Sequence, residues 1–189
     1  MLLGVDVGGT FTDAVLVDNG MIINQAKVKT TQEEVLRGML QALDIVLAGN
    51  EPDAISRVVV SSTIVTNTLT EGKTEPVFLA VMAGPGMSTK GRFPTEPYLA
   101  EGYVDHRGQI IKSASVNEKI VKTMSAGKEV AAVSGKFSVR NQKNEQELRV
   151  QLKEAGFKRI FMGSEISGEL NFVRRTNSAY FSAAVYNKF

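Results

Sequence analysis

Asp6, Gly8, Gly9, Thr10 and Thr12 fall close together in the stretch Leu2-Leu3-Gly4-Val5-Asp6-Val7-Gly8-Gly9-Thr10-Phe11-Thr12-Asp13. An apolar run ends on a carboxylate, and two glycines and two hydroxyl residues follow before a second apolar run, Ala14 to Val17. Glycines let the backbone turn sharply and bring its N–H groups against an anion with no side chain in the way. Thr10 and Thr12 add hydroxyl donors, and Asp6 puts a carboxylate where a phosphate-bound Mg²⁺ takes an outer-shell ligand. An ordinary hairpin would need only the Gly-Gly pair. Carboxylate, glycines and hydroxyls together between two strands point instead to a loop that holds phosphate.

A second constellation runs Ser61-Ser62-Thr63-Ile64-Val65-Thr66-Asn67-Thr68-Leu69-Thr70-Glu71-Gly72-Lys73. It sets hydroxyls and an amide at the start of a helix that follows a strand, where free N–H groups can receive an anion or a polarised carbonyl. Plain capping by Thr63, with Thr66, Asn67 and Thr70 on a solvated face, accounts for the same residues. From the residues alone both readings stand.

The elements that must position these groups alternate along the chain. Ala14 to Asp18 reads as a strand, Asn19-Gly20 as a two-residue hairpin turn, and Met21 to Val28 as the returning strand. Strand, glycine loop, strand and hairpin do not make a G-x-x-x-x-G-K-[ST] loop or a dinucleotide fingerprint, because no helix directly follows the glycines. Thr31-x-x-Glu34 reads as a capping box ahead of a helix whose apolar stripe is Val35, Leu36, Met39, Leu40, Leu43, Val46 and Leu47, stopped at Gly49. A strand is expected over Arg57 to Ser61, a helix over Thr63 to Glu71 closed by Gly72, and a buried strand over Pro76 to Met82. Residues 84–97, rich in proline and glycine, read as a loop. A strand pair, Tyr98 to Val104 and Gln109 to Lys112, turns at His106-Arg107-Gly108. Then come a helix capped by Ser115, a strand from Glu129 to Ser134, a helix from Asn144 to Ala155, a strand from Arg159 to Met162, and a final helix over 168–189. Leu170, Val173, Tyr180, Phe181, Ala184 and Val185 are its expected apolar contacts, and Arg174-Arg175 is expected on a solvated face.

Composition narrows the function classes. The chain has 189 residues, 43% of them hydrophobic, enough to bury a sizeable core in one or two small domains. A net charge of +2 with dispersed basic residues gives no footprint for nucleic acid. Without cysteine there are no disulfides, thiol nucleophiles, iron–sulfur clusters or thiolate zinc sites. His106, the single histidine, reads as a hairpin tip, and Asp13 as a local brace for the loop. No apolar run approaches the ~18 residues of a membrane-spanning helix, the first strand begins directly after Met1, and a cytoplasmic setting is expected.

The first loop resembles the first phosphate loop of the actin-like ATPase and sugar-kinase superfamily, whose lobes have a ribonuclease H-like core. Gly8-Gly9-Thr10-Phe11-Thr12-Asp13 followed by Ser62-Thr63-Ile64-Val65-Thr66-Asn67-Thr68-Leu69 and Gly72 is more specific. It resembles the N-terminal domain of the hydantoinase/5-oxoprolinase family. Phe137-Ser138-Val139-Arg140-Asn141 to Glu145, Ser164-Glu165-Ile166 and Arg174-Arg175-Thr176-Asn177-Ser178-Ala179 are similar to later segments of that family.

The resemblance implies an α/β fold, a ribonuclease H-like lobe with a mixed sheet and flanking helices. Its phosphate-loop core would span 1–82 and its further βα units 98–189, as a fragment or subunit of a larger enzyme. It implies ATP and Mg²⁺ as cofactors, with Asp6 as catalytic residue and metal ligand. Gly8, Gly9, Thr10, Phe11 (through its backbone) and Thr12 would cradle phosphate, and Thr63, Thr66 and Asn67 would lie on the cleft or substrate side. The implied activity is hydrolysis of a cyclic amide whose carbonyl is activated by phosphorylation. A second ATPase lobe or a partner subunit would complete the site, with no nucleic acid or membrane partner. Three other readings share the loop: a lobe of a sugar or acyl kinase, a subunit of an acetone carboxylase-type enzyme, and a nucleotide sensor without turnover.

Overall fold

A computed structural model describes residues 1–30 and 35–188 of the chain. The expected capping box at Thr31 to Glu34 lies outside the described residues. The chain divides into two units, one formed by Met1–Lys73 with Asn187–Phe189 and the other by Thr74–Tyr186.

In the first unit, β1 (Leu2–Val7), β2 (Phe11–Asp18) and β3 (Met21–Lys29) form an antiparallel meander, and β4 (Arg57–Ser62) adds parallel to β1. The sheet order is β3-β2-β1-β4. Strict alternation fixes its faces: Leu3, Val5 and Val7 of β1 with Ala14 and Leu16 of β2 are buried, whereas Leu2 and Asp6 are exposed. Asn19 and Gly20 both take positive φ, 46° and 79°, as the turn between β2 and β3 requires.

Helix α1 (Val35–Leu47) covers the buried face. Its contact line is Gly38, Ala42 and Val46, with Met39, Leu43 and Leu47 packed at the flanks. Leu36 and Leu40, expected in the apolar stripe, are exposed at 62% and 50%. Gly38 faces the end of β3, where a methyl group would make an ordinary contact at 3.6 Å with the Lys29 carbonyl oxygen. Small residues hold the contact line and the bulky ones are displaced sideways. β4 has a single strand neighbour among the described residues, and Val58, Val59 and Val60 are 56–58% exposed. Helix α2 (Ile64–Thr70) follows β4 and closes at Gly72, whose φ is 66°.

The second unit is built on a parallel sheet of β5 (Val77–Met82), β6 (Tyr98–Leu99), β9 (Val130–Gly135) and β10 (Arg159–Met162), in the order β10-β9-β5-β6. β5 and β9 are buried along their whole length, as strands covered on both faces must be. The strand expected at Pro76 to Met82 thus forms, and its partners are β6 and β9.

The expected Tyr98 to Val104 strand is divided. Its first two residues join the parallel sheet as β6, and β7 (Glu101–Val104) pairs with β8 (Ile110–Ser115) as a hairpin. Helix α3 (Glu118–Met124) is capped by Asn117, whose Oδ1 accepts from the Lys119 and Ile120 N–H groups; Ser115, the expected cap, ends β8 instead. Helix α4 (Lys143–Glu154), the short α5 (Gly163–Ile166) and α6 (Phe172–Val185) complete the unit. Along α6 the buried positions are Phe172, Arg175, Thr176, Ala179, Ala183, Ala184 and Val185, while Leu170 is exposed. Among the described residues no helix is long and apolar enough to cross a membrane.

Candidate functional site

The glycine loop sits at the carboxyl end of β1. The Gly8 N–H donates to the Phe11 carbonyl at 3.0 Å, and the Thr30 N–H donates to the Thr10 carbonyl at 2.9 Å, which ties the loop to the end of β3. Glycine is required at position 8, because a Cβ there would lie 2.8 Å from the Phe11 carbonyl oxygen and 3.8 Å from Thr63 Oγ1. A Cβ at Gly9 would lie 3.5 Å from Asn67 Nδ2. Among the described residues, the Gly9 and Thr10 N–H groups have no backbone acceptor. The loop therefore offers two neutral donors, one of them on a glycine with no side chain of its own.

Asp6 lies one strand position before the loop, on the sheet face away from α1. The parallel register of β1 and β4 sets Ser61 beside it, and Ser61 Oγ donates to Asp6 Oδ1 at 2.5 Å. On the other side the antiparallel register sets Asp13 beside Asp6. Asp13 is neutralised by Lys27, with Nζ 2.9 and 3.2 Å from its two oxygens, so the like charges are not left to repel unrelieved. Asp13 thus braces a sheet face rather than the loop. Lys27 also lies 5.1 Å from the centre of the Phe11 ring. Only the parallel register brings Ser61 to Asp6, a pairing that separation along the chain does not show.

The expected site residues separate into three groups. Gly8, Gly9 and Thr10 stand at the loop with Thr63 and Asn67 against them. Thr66 is exposed on α2, and its carbonyl accepts from Thr70 Oγ1 at 2.6 Å. Thr12 is a correction. Its side chain is fully buried under α1, with Oγ1 at 2.9 Å from Thr30 Oγ1, so its hydroxyl fastens β2 to the end of β3 and is closed to a ligand. The alternation of β2 decides this, because Thr12 shares the inward face with Ala14 and Leu16. Thr63 precedes α2 without a side-chain capping bond.

A cavity of about 210 Å³ adjoins the loop, and Gly9, Thr10, Asn67, Thr68, Glu71 and Lys73 are among its lining residues. Residues at spacings of three, four and seven share one face of a helix, which is why Ile64, Asn67, Thr68 and Glu71 all reach it. That spacing was legible in the sequence, and the position of Lys73 was not. Among the described residues there is no cluster of three or more His, Asp or Glu side chains fit to hold a metal.

The later segments meet within the second unit. Glu145, fully buried on α4, accepts from the Gly135 N–H at 2.8 Å through Oε1 and from the Ser164 N–H at 3.0 Å through Oε2. Ser164 Oγ also donates to that second oxygen. Arg175, equally buried, donates through Nη2 to the Gly135 carbonyl at 2.6 Å and through Nη1 to the Glu169 carbonyl. Gly135 at the end of β9 is therefore held from both sides by opposite charges. Burial lowers the Arg175 pKa from its ordinary value, and the Glu145 carboxylate partly offsets that. Arg174 is exposed as expected, and Arg175 is not.

The chain has the fold of parts of larger proteins. The nucleotide-free structure of an acetone carboxylase, a protein of ATP-dependent acetone carboxylation, aligns with 100% of this chain at a TM-score of 0.73 and 19% identity. An ATP-dependent caprolactamase from Pseudomonas jessenii aligns with 98% at a TM-score of 0.60 and 21% identity. The chain spans 32% and 31% of those two chains, about a third of each. No curated protein matches it. The sequence profile of the hydantoinase/oxoprolinase N-terminal region matches residues 2–156, which include both the glycine loop and the α2 segment. With its mixed α/β sheets, its glycine loop after β1 and a profile match over most of its length, the chain belongs to the hydantoinase/oxoprolinase N-terminal family.

Proposed function

We propose that this chain is the N-terminal, ribonuclease H-like lobe of an ATP-dependent hydrolase of the hydantoinase/5-oxoprolinase type, acting on a cyclic amide. The observation that carries the reading is the loop itself: among the described residues the Gly9 and Thr10 N–H groups have no backbone acceptor, and they follow a strand that carries the exposed Asp6 carboxylate. The residues fit the group they would hold. A Cβ at Gly8 or Gly9 would narrow the cradle, and Asp6 keeps one oxygen beyond its bond to Ser61.

In this reading Gly8, Gly9 and Thr10 bind phosphate, with Phe11 closing the loop through its backbone. Asp6 holds Mg²⁺ through the metal's waters, and Ser61 orients that carboxylate. Bound Mg·ATP supplies the phosphoryl group that activates the amide carbonyl, a chemistry governed by positioning and charge neutralisation. Thr12 contributes by fixing the loop from the core. Thr63 and Asn67 stand on the substrate or cleft side of the loop, with Thr66 further along the same helix. A second lobe or partner subunit completes the cleft and excludes water, consistent with relatives about three times this length. A cytoplasmic setting, where ATP is available, accords with this role.

Calorimetric titration of Mg·ATP into the chain and into Asp6→Ala tests the reading. Binding by wild type, weakened tenfold or more in the variant, is expected. Equal affinity for both proteins overturns it, as does absence of binding by a folded wild-type chain supplied with its complementary lobe. Phosphate release stimulated by cyclic amides, and not by sugars, then separates a hydrolase from a kinase.

A further inference from the structure

The glycine loop brings only neutral donors to a ligand with several negative charges, and Asp6 adds a negative charge of its own. Of the residues lining the adjoining cavity, Lys73 is the one cation and Glu71 the one anion among the described residues. We propose that Lys73 is the charge-neutralising residue of this phosphate site and that Glu71 competes with phosphate for it. The proposal rests on the phosphate-loop reading above and adds to it a residue outside the loop.

Local structure fixes where Lys73 stands. Gly72 takes φ 66°, a left-handed conformation that glycine adopts without a Cβ penalty. The Gly72 N–H then reaches the Leu69 carbonyl at 3.3 Å and the Lys73 N–H reaches the Thr68 carbonyl at 3.1 Å. This pair of bonds folds the chain back over the last turn of α2. Lys73 is thereby returned to the helix face that carries Asn67, Thr68 and Glu71, in the same cavity as Gly9 and Thr10. A lysine near a helix carboxyl end is also favoured by the helix dipole.

The pairing of Lys73 suits a residue that changes partner. Its Nζ lies 2.7 Å from Glu71 Oε2, and the two side chains are 60% and 53% exposed. An exposed pair of this kind contributes little to stability, so its cation is given up readily to a ligand carrying more charge. Glu71 then acts as a resident placeholder. It keeps the ammonium in the cavity before phosphate arrives, and its own charge opposes phosphate entry.

The two roles predict effects of opposite sign. Titration of Mg·ATP into Lys73→Met should show about tenfold weaker binding with a shallower salt dependence, and Lys73→Arg should restore most of the affinity. Glu71→Gln should bind about threefold more tightly than wild type. Thermal midpoints of all three should stay with the wild type's, which separates binding from folding. Wild-type affinity in Lys73→Met, with Asp6→Ala still impaired, overturns the role of Lys73 and leaves the loop reading intact. Weakening by Glu71→Gln in step with Lys73→Met marks the pair as a brace and overturns the competition. Failure of the folded wild type to bind when supplied with its complementary lobe overturns both readings.

Discussion

A methyl group at Gly8 would stand 2.8 Å from a carbonyl oxygen that the same loop uses to close itself, whereas one at Gly9 would make an ordinary contact at 3.5 Å. Gly8→Ala should therefore cost about 1–3 kcal/mol in urea denaturation, and Gly9→Ala no more than about 0.5 kcal/mol. If Gly9 serves a ligand rather than the fold, its alanine variant loses Mg·ATP binding while keeping its stability. Thr12 behaves in the opposite way. Thr12→Val strands the buried Thr30 hydroxyl and should cost about 1–3 kcal/mol. The Thr12→Val/Thr30→Val double variant should cost clearly less than the sum of the singles, which a double-mutant cycle measures. Residue types announced a tight glycine loop next to a strand bearing Asp6, because that geometry is local, and the phosphate role proposed for Asp6, Gly8 and Gly9 rests on it. They misassigned the Thr12 hydroxyl, since its direction depends on a strand phase that runs back from Leu16 through Ala14. Arg175 was hidden for a similar reason. A buried arginine becomes intelligible only once the carbonyl of Gly135, forty positions away, is seen to meet it beside that of Glu169.

At the scale of elements, punctuation residues carried most of the information. Asn19-Gly20, Gly49, Gly72 and Gly156 all mark ends where the chain takes positive φ, and the strands and helices between them form close to where they were expected. Competition between neighbouring caps was not legible: Ser115 and Asn117 both suit helix starts, and hydrogen bonding of β8 to β7 leaves Asn117 to do the work. Asn117→Ala should cost about 1 kcal/mol and Ser115→Ala less, as chemical denaturation can resolve. The β7–β8 hairpin offers a pH test. Asp105 Oδ1 accepts from the Gln109 and Arg107 N–H groups, and the first of these bonds leads in lowering its pKa below the ordinary aspartate value. A carboxylate with a folded pKa below its unfolded one stabilises the hairpin fully above the unfolded value and loses that contribution as pH falls through the folded one. Protection factors of the Arg107 and Gln109 amides should fall over that acidic range, and should already be low at neutral pH in Asp105→Asn.

The whole molecule holds two units with separate hydrophobic clusters, one under α1 and the others on the two sides of the β5–β9 sheet. Residues 74–186, expressed alone, should retain secondary structure and a cooperative melt by circular dichroism. Within that piece Glu145→Ala should cost about 1–3 kcal/mol, because the Gly135 and Ser164 N–H groups lose their acceptor. Periodicity could announce each strand but not which sheet takes it, and β5 shows the difference, since sheet membership is set by partners far along the chain. The same blindness hid the most practical property of the first unit. β4 carries Val58, Val59 and Val60 exposed in sequence, with only Arg57 for charge and no proline or bulge to spoil its open edge. Handled alone at high concentration, this chain should therefore show self-attraction in light scattering, with a negative second virial coefficient. Val59→Lys, on the face opposite the core, should turn that coefficient positive without moving the thermal midpoint. The concentration at which a purified sample clouds is then governed less by its net charge of +2 than by a single row of valines.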